Sequence, residues 1–113
     1  MTDQMIELAR RAVACEGWRW MEGMLAIRQH DQISHRLDHM TTALVDSKSW
    51  LPDLTDPATL GCLLHLVREA WSDPTVALLT NHLDADQWYV WGKDLPPQPT
   101  EAHALVAALE AAP

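Results

Sequence analysis

The chain has 113 residues, of which 48% are hydrophobic and 21% charged, and it carries a net charge of −8. These values are typical of a single globular domain over 1–113, and they argue against a disordered or fibrous chain. Because nucleic-acid affinity depends on clustered Lys and Arg, the acidic balance also argues against direct binding of nucleic acid.

The charge is distributed unevenly along the chain. Residues 1–45 contain five Arg and six acidic residues, a balance of −1, whereas residues 46–113 contain three basic and ten acidic residues, a balance of −7. No apolar run approaches the roughly 20 residues that cross a bilayer, and the first residues resemble neither a signal nor a transit peptide. Cys15 and Cys62 both lie in apolar helical patterns, which favours packing over a disulfide. We therefore expect a cytoplasmic protein without membrane contact.

The first half of the chain predicts one helix followed by strands. Residues 2–15 repeat apolar side chains at helical spacing, and Gly17 ends the pattern. An alternating aromatic run at 18–21, a turn and an apolar run at 24–28 predict a hairpin. The pattern at 30–49 fits both a helix and an irregular strand, and we favour strand and loop.

The second half predicts a helix, a hairpin and a final helix. Asp56 is a suitable N-cap with Pro57 at the first helical position, and Thr100 caps the last helix. Between them, β-branched residues at 75–80 and aromatic residues at 87–91 predict two paired strands. The core positions predicted on the two helices are Leu60, Leu64, Val67 and Leu105. The order α-β-β-α-β-β-α indicates an α+β fold in which helices cover an antiparallel sheet.

Three histidines close in sequence raise the possibility of a metal site. His30, His35 and His39 fall within ten residues. The stretch from His35 to His39 has the form H-x-x-D-H, near an inverted zinc-protease pattern in which two His four apart on a helix hold the metal. Asp replaces the usual Glu and the helix is not assured, so a polar surface with scattered histidines is the preferred interpretation.

A second constellation lies on the helix that begins at Pro57. Cys62, His65 and Glu69 have the spacing of one helix face, opposite the leucine stripe. They are able in principle to bind zinc or to form a nucleophile and base. Because a fourth ligand is missing, we favour the solvent-facing side of an amphipathic helix.

Tryptophan is the unusual aromatic choice of this chain, which has six Trp and no Phe. In a strand at 87–91, Trp88 faces the side opposite to Trp91. In a chain without Phe most Trp residues are expected in the core, but an exposed Trp is typical of a protein interface or of base stacking in a nucleic-acid groove. The acidic turn preceding the strand adds charge to such a surface. We therefore predict that Asp84, Asp86, Trp88 and Trp91 contact a partner.

Motifs for enzymatic chemistry are missing from the sequence. It contains neither a phosphate-binding loop nor a dinucleotide-binding fingerprint, and its serines occupy no nucleophile-elbow context. We expect a protein that is not an enzyme and needs no cofactor.

Two stretches resemble small uncharacterised phage and prophage accessory proteins. One is the run LPDLTDPATLGCLL at 51–64, which continues as VREAW at 67–71, and the other is TEA followed by ALVAALE at 100–110. The resemblance implies an αβα-sandwich type of phage domain and transfers no catalytic residues. It also implies a context in which small proteins bind and disable host machinery, including defence systems such as CRISPR effectors.

These observations favour a non-enzymatic phage protein that binds another protein in the host cell, with inhibition of host defence as the most specific form. Its acidic part would suit the basic groove of a nucleic-acid-binding complex. The alternatives are a metal-binding protein or enzyme using a His or Cys cluster, and a structural virion component. The oligomeric state stays open.

Overall fold

The computed structural model describes residues 2–81 and 84–113. This part of the chain forms α1 (Asp3–Val13), β1 (Leu25–Arg28), β2 (Ser34–Arg36), a 3-10 helix (Thr41–Ala43), β3 (Trp50–Pro52), α2 (Pro57–Ala70), β4 (Leu78–Asn81), β5 (Asp84–Val90) and α3 (Glu101–Ala111). The predicted α+β class and the approximate order of its elements are confirmed. Residues 30–49 contain β2, loop and the short 3-10 helix at Thr41–Ala43, so strand and loop predominate as predicted and the pattern does not form an α-helix.

The strands form two separate antiparallel sheets. In the first, β1 lies between β2 and β3, with Ala26 opposite His35 and Ile27 opposite Leu51. In the second, β4 and β5 form a hairpin, as predicted. The sequence pattern indicated one sheet, whereas the strands divide into a three-stranded sheet and a two-stranded hairpin.

The predicted hairpin of residues 18–21 with 24–28 is wrong, because residues 18–21 form a loop between α1 and β1. The two tryptophan side chains of that loop pack against each other, and within the described residues the buried Trp18 indole N–H has no hydrogen-bond partner. The Trp20 indole N–H donates to Ser47 Oγ at 3.1 Å, and the Trp18 and Trp20 rings meet edge to face at 5.3 Å. The strand β1 pairs with segments further along the chain.

The start of α2 connects the helix to the first sheet. Asp56 Oδ2 accepts from the Thr59 N–H at 3.0 Å, which confirms the predicted N-cap. Thr59 is buried, and its hydroxyl accepts from the Leu25 N–H of β1 at 2.8 Å. One carboxylate thus satisfies the end of the helix and orients the hydroxyl that holds β1.

The buried face of α2 is rotated relative to the prediction. Leu63, Leu66 and Val67 are fully buried, whereas Leu60 and Leu64 are only half-buried. The helix packs against α3. The apolar pattern alone did not distinguish Leu66 from the neighbouring leucines.

The last helix, α3, is the centre of the helical layer. It packs against α1, α2 and β5, and its Thr100 cap accepts from the His103 N–H at 3.1 Å. Its buried residues are Ala102, Ala104, Leu105, Val106, Ala108 and Leu109. The alanines allow close approach on several sides, since they occupy little volume. Among the described helices, none is long and apolar enough to cross a membrane.

Candidate protein-binding surface

The two faces of the β4–β5 hairpin differ sharply in burial. On one face Val90 is buried and Trp88 packs partly against the core, whereas alternate residues point outward. The outward residues are Leu79, Tyr89 and Trp91, which are 45%, 37% and 61% exposed. We call these three residues the hairpin face.

The geometry of the hairpin brings the hairpin face together. Leu79 lies directly opposite Tyr89 in the strand register, and directly paired side chains of an antiparallel ladder lie about 4.5–5.5 Å apart at Cβ. The Trp91 N–H donates to the Ala77 carbonyl at 2.8 Å, which extends the pairing by one residue beyond Val90. Gly92 then turns the chain with a positive φ of 79°, a conformation that favours glycine. The three apolar side chains therefore form one contiguous surface.

The four predicted partner-binding residues have different positions. Trp91 is on the hairpin face, whereas Trp88 points to the core, and its backbone pairs with Gln98 in an isolated bridge with N–O distances of 2.8 and 3.0 Å. Asp84 and Asp86 belong to β5 by their backbone, but their side chains lie outside the described part of the structure.

Two of the three basic side chains in residues 46–113 are engaged internally. The Lys93 ammonium lies 3.0 Å from Asp73 Oδ2 and 4.8 Å from the centre of the Trp71 ring. Arg68 donates from Nε to the Val76 carbonyl at 2.8 Å. Hydrogen bonds from the Thr75 hydroxyl and from Lys93 lower the pKa of Asp73 to about 2. These contacts leave few free cations to balance the acidic residues in this half of the chain.

The histidines of the H-x-x-D-H motif are not arranged as its helical form requires. His35 is an exposed residue of β2, and His39 lies in the loop before the 3-10 helix. The Asp38 carboxylate accepts from the N–H groups of Met40 and Thr41 at 3.0 and 2.8 Å. These contacts, with that of Thr41 the strongest, lower the pKa of Asp38. The motif thus encodes a turn, and in the described residues no three His, Cys, Asp or Glu side chains are placed to hold a metal ion.

The constellation on α2 does lie on one side of the helix. His65 Nε2 is 3.4 Å from Glu69 Oε2, and both side chains are exposed, as the solvent-face interpretation predicted. Glu69 is also held by the Arg19 guanidinium in a bidentate pair. Cys62 instead directs its thiol to the Glu22 carbonyl, and burial raises its pKa. A raised pKa reduces the fraction of thiolate, which is the form that acts as a nucleophile.

A second exposed apolar surface was not predicted from the sequence. Ile33 and Leu44, which are 52% and 78% exposed, border a groove of about 270 Å³ that also contacts Leu37, Val45 and Trp50. The sequence feature that could have revealed this surface is the helix-like spacing of apolar residues at 30–49. Of these apolar residues Leu37 is buried and Val45 is half-buried, whereas Ile33, Met40 and Leu44 are exposed to solvent.

Comparisons of the chain with protein-family models, with curated proteins and with solved structures find no match. The likeness to phage accessory proteins therefore stays a prediction from the sequence.

Proposed function

We propose that this chain is a phage-derived, non-enzymatic accessory protein that acts by binding another protein through the hairpin face. The observation that carries the proposal is the exposure of Trp91 beside Tyr89 and Leu79. Trp and Tyr are the residues most enriched among those that dominate binding energy at protein interfaces. Apolar side chains that stay in water do not contribute to the stability of the fold. Where several of them are contiguous on a surface, they mark an interaction site.

The charge of the chain supports a partner with a basic surface. Residues 46–113 carry a balance of −7, and the hairpin belongs to this part. Exposed charge of this kind steers association with an oppositely charged surface and raises the association rate more than the affinity. The proposed partner is the basic groove of a nucleic-acid-binding complex in the host cytoplasm. Inhibition of a host defence system, such as a CRISPR effector, is the most specific form of this function.

The first experiment is affinity capture from host lysate with three forms of the protein. The wild type and Leu44→Ala should retain the same partner, whereas Trp91→Ala should lose it. Leu44→Ala is the matched control, because it removes an exposed apolar side chain outside the hairpin face. Equal capture by Trp91→Ala would contradict the assignment of the hairpin face.

Binding kinetics with the captured partner separate the aromatic from the electrostatic contribution. Trp91→Ala should speed dissociation by about 30-fold or more, the equivalent of about 2 kcal/mol for an interface anchor. Association of the wild type should slow as salt rises to 0.15 M, where exposed charges beyond about 8 Å are screened.

Charge reversal tests the part of the proposal that rests on the two acidic residues at the start of β5. Asp84→Lys with Asp86→Lys should slow association and leave dissociation nearly unchanged. Asp3→Lys with Glu7→Lys is the control, since it changes the net charge equally in the near-neutral half of the chain. Association that ignores both salt and the Asp84 and Asp86 reversals would rule out electrostatic steering and leave a purely apolar contact.

A further inference from the structure

The outer edge of β2 presents backbone groups that the fold leaves unpaired. The Leu37 N–H donates to the Met24 carbonyl and the Arg28 N–H to the Ile33 carbonyl, both at 2.8 Å. In an antiparallel ladder these bonds alternate along the strand, so residues 33, 35 and 37 direct their backbone groups toward β1. Ser34 and Arg36 direct theirs away from it. Within residues 2–81 and 84–113, no hydrogen bond reaches these outward-facing groups.

The outer edges of β3 and β5 are closed, and that of β4 is irregular at its end. On β3, the Trp50 N–H donates to the Asp46 carbonyl at 3.0 Å, and Pro52 has no N–H to offer. On the hairpin, β5 is bridged to Gln98, and the β4 ladder shifts register between Thr80 and Asn81, an irregularity of the kind that limits further pairing. The β2 edge keeps one register over all three of its residues.

The side chain of Arg36, the charged residue of β2, is bound to other residues and does not shield the edge of the strand. Proteins commonly place a charged side chain on an exposed edge strand to prevent pairing with another chain. Here the Arg36 guanidinium makes a bidentate contact with Asp56, with Nη2 2.9 Å from Oδ1, and it also donates to the Gly23 carbonyl. Its charge is therefore neutralised at the start of α2. The edge itself presents Ser34 and His35 beside the exposed Ile33 of the apolar groove.

We propose that two copies of this chain pair through β2, antiparallel about a two-fold axis at His35, and join their sheets into one of six strands. In this register Ser34 of each copy lies opposite Arg36 of the other. Every outward-facing N–H and C=O then meets a partner, which makes the edge complementary to itself, as a two-fold interface requires. The exposed side chains of Ile33 and Leu44 lie beside the new strand and lose contact with water.

The charge around β2 permits this approach of two like-charged molecules. Residues 30–49 contain two basic residues, Arg36 and Lys48, and three acidic residues, Asp31, Asp38 and Asp46. Most of the net charge of −8 therefore lies away from the paired edge. Because the two copies still repel each other at a distance, pairing should strengthen as salt rises. That is the opposite of the salt dependence expected for the basic partner, and it involves a different surface, so either proposal can fail without the other.

The test is the mass of the full chain in sedimentation equilibrium, from low micromolar to millimolar concentration and at low and physiological salt. The wild type and Ser34→Ala should show the same monomer–dimer equilibrium, whereas Ser34→Pro should be a monomer with an unchanged circular dichroism spectrum. Proline removes the outward N–H of residue 34 and leaves the bonds of residues 33 and 35 to β1 in place. A wild type that is monomeric at all concentrations would overturn the proposal, as would a Ser34→Pro protein that is folded and dimeric.

Cysteine cross-linking gives a second measurement that does not depend on the proline variant. In the proposed register the two copies of His35 lie directly opposite, about 4.5–5.5 Å apart at Cβ, whereas the two copies of Ser34 are diagonal neighbours at roughly 7–8 Å. Under mild oxidation His35→Cys should form an intermolecular disulfide, mapped by mass spectrometry, and Ser34→Cys should not, because a disulfide requires Cα atoms within about 7 Å. Equal cross-linking of both variants, or of neither, would contradict pairing about His35.

Discussion

The three-stranded sheet and the β4–β5 hairpin expose different chemistry to solvent. The sheet ends in a strand whose backbone groups are unpaired, beside an apolar groove in the near-neutral half of the chain. The hairpin exposes the aromatic and aliphatic side chains of the hairpin face in the acidic half. The edge of β2 is suited to pairing with another strand through backbone hydrogen bonds, which do not depend on the side chains of that strand. The hairpin face is suited to insertion into an apolar pocket. They should therefore respond to different substitutions.

The helices connect these two regions through a shared core. α1 packs against β3, α3 packs against β5, and the two helices pack against each other. Arg11 of α1 and Glu110 of α3 reinforce this contact with N–O distances of 2.6 and 3.2 Å. We therefore expect the two regions to unfold together, although their surfaces differ in chemistry.

The largest expected effect comes from the core that the two regions share. Leu66→Ala should lower the free energy of unfolding by about 2–5 kcal/mol, as is usual for a buried leucine. Urea unfolding followed by tryptophan fluorescence and by circular dichroism should give one coincident transition. Leu64→Ala, at the half-buried neighbouring position, should cost less. Two separate transitions would show that the sheet and the hairpin are independent units.

The next effect compares two tryptophans of the hairpin that point in opposite directions. Trp88→Ala should destabilise the fold. Replacing a fully buried aromatic residue by alanine usually costs about 3–5 kcal/mol, and the cost here should be smaller because Trp88 is half-buried. Trp91→Ala should change the free energy of unfolding by no more than about 0.5 kcal/mol, as exposed substitutions usually do. Thermal and urea melts of the two variants measure the difference. Equal losses would mean that Trp91 is part of the core.

A smaller effect should be confined to the start of α2 and the adjoining sheet. Asp56→Ala removes an N-cap and should cost about 0.5–2 kcal/mol. Asp56→Asn should retain most of the cap, since Asn caps helices as well as Asp, while weakening the pair with Arg36. Amide hydrogen exchange should increase in β1 and β2 in the alanine variant and stay unchanged in β5. Faster exchange throughout the hairpin would contradict a local role.

The smallest expected effect is the loss of stability at low pH. Asp56, beside the three-stranded sheet, and Asp73, just before the hairpin, both contribute to it. Hydrogen bonds from Arg36 lower the pKa of Asp56 to about 2, and those from Thr75 and Lys93 do the same for Asp73. A lowered pKa in the folded state stabilises the fold above the usual value near 3.8, and this stabilisation is lost as pH falls from 3.8 through 2. The urea midpoint should decrease over that range. It should decrease less steeply in Asp73→Asn, and an unchanged slope would exclude Asp73 as a contributor.

The predictions that succeeded depend on residues close together in sequence. The cap and first turn of α2 need only Asp56, Pro57 and Thr59, and Thr100 acts likewise at α3. The second hairpin also follows from two predicted strands that are close together in sequence, although β5 begins at Asp84, within the segment predicted as a turn. Local hydrogen bonding and backbone preference decide such features without help from the rest of the chain.

The predictions that failed depend on contacts between distant segments. β1 pairs with β3 across more than twenty residues, and the loop at 18–21 is held by Ser47 and Glu69. Which leucines of α2 are buried follows from the position of α3. The amino-acid sequence by itself determined the helices, their caps, the hairpin and the uneven charge. The tertiary structure decided which strands pair, which apolar residues stay in water and which sheet edge is open, because each of these is a competition between distant segments for the same partner.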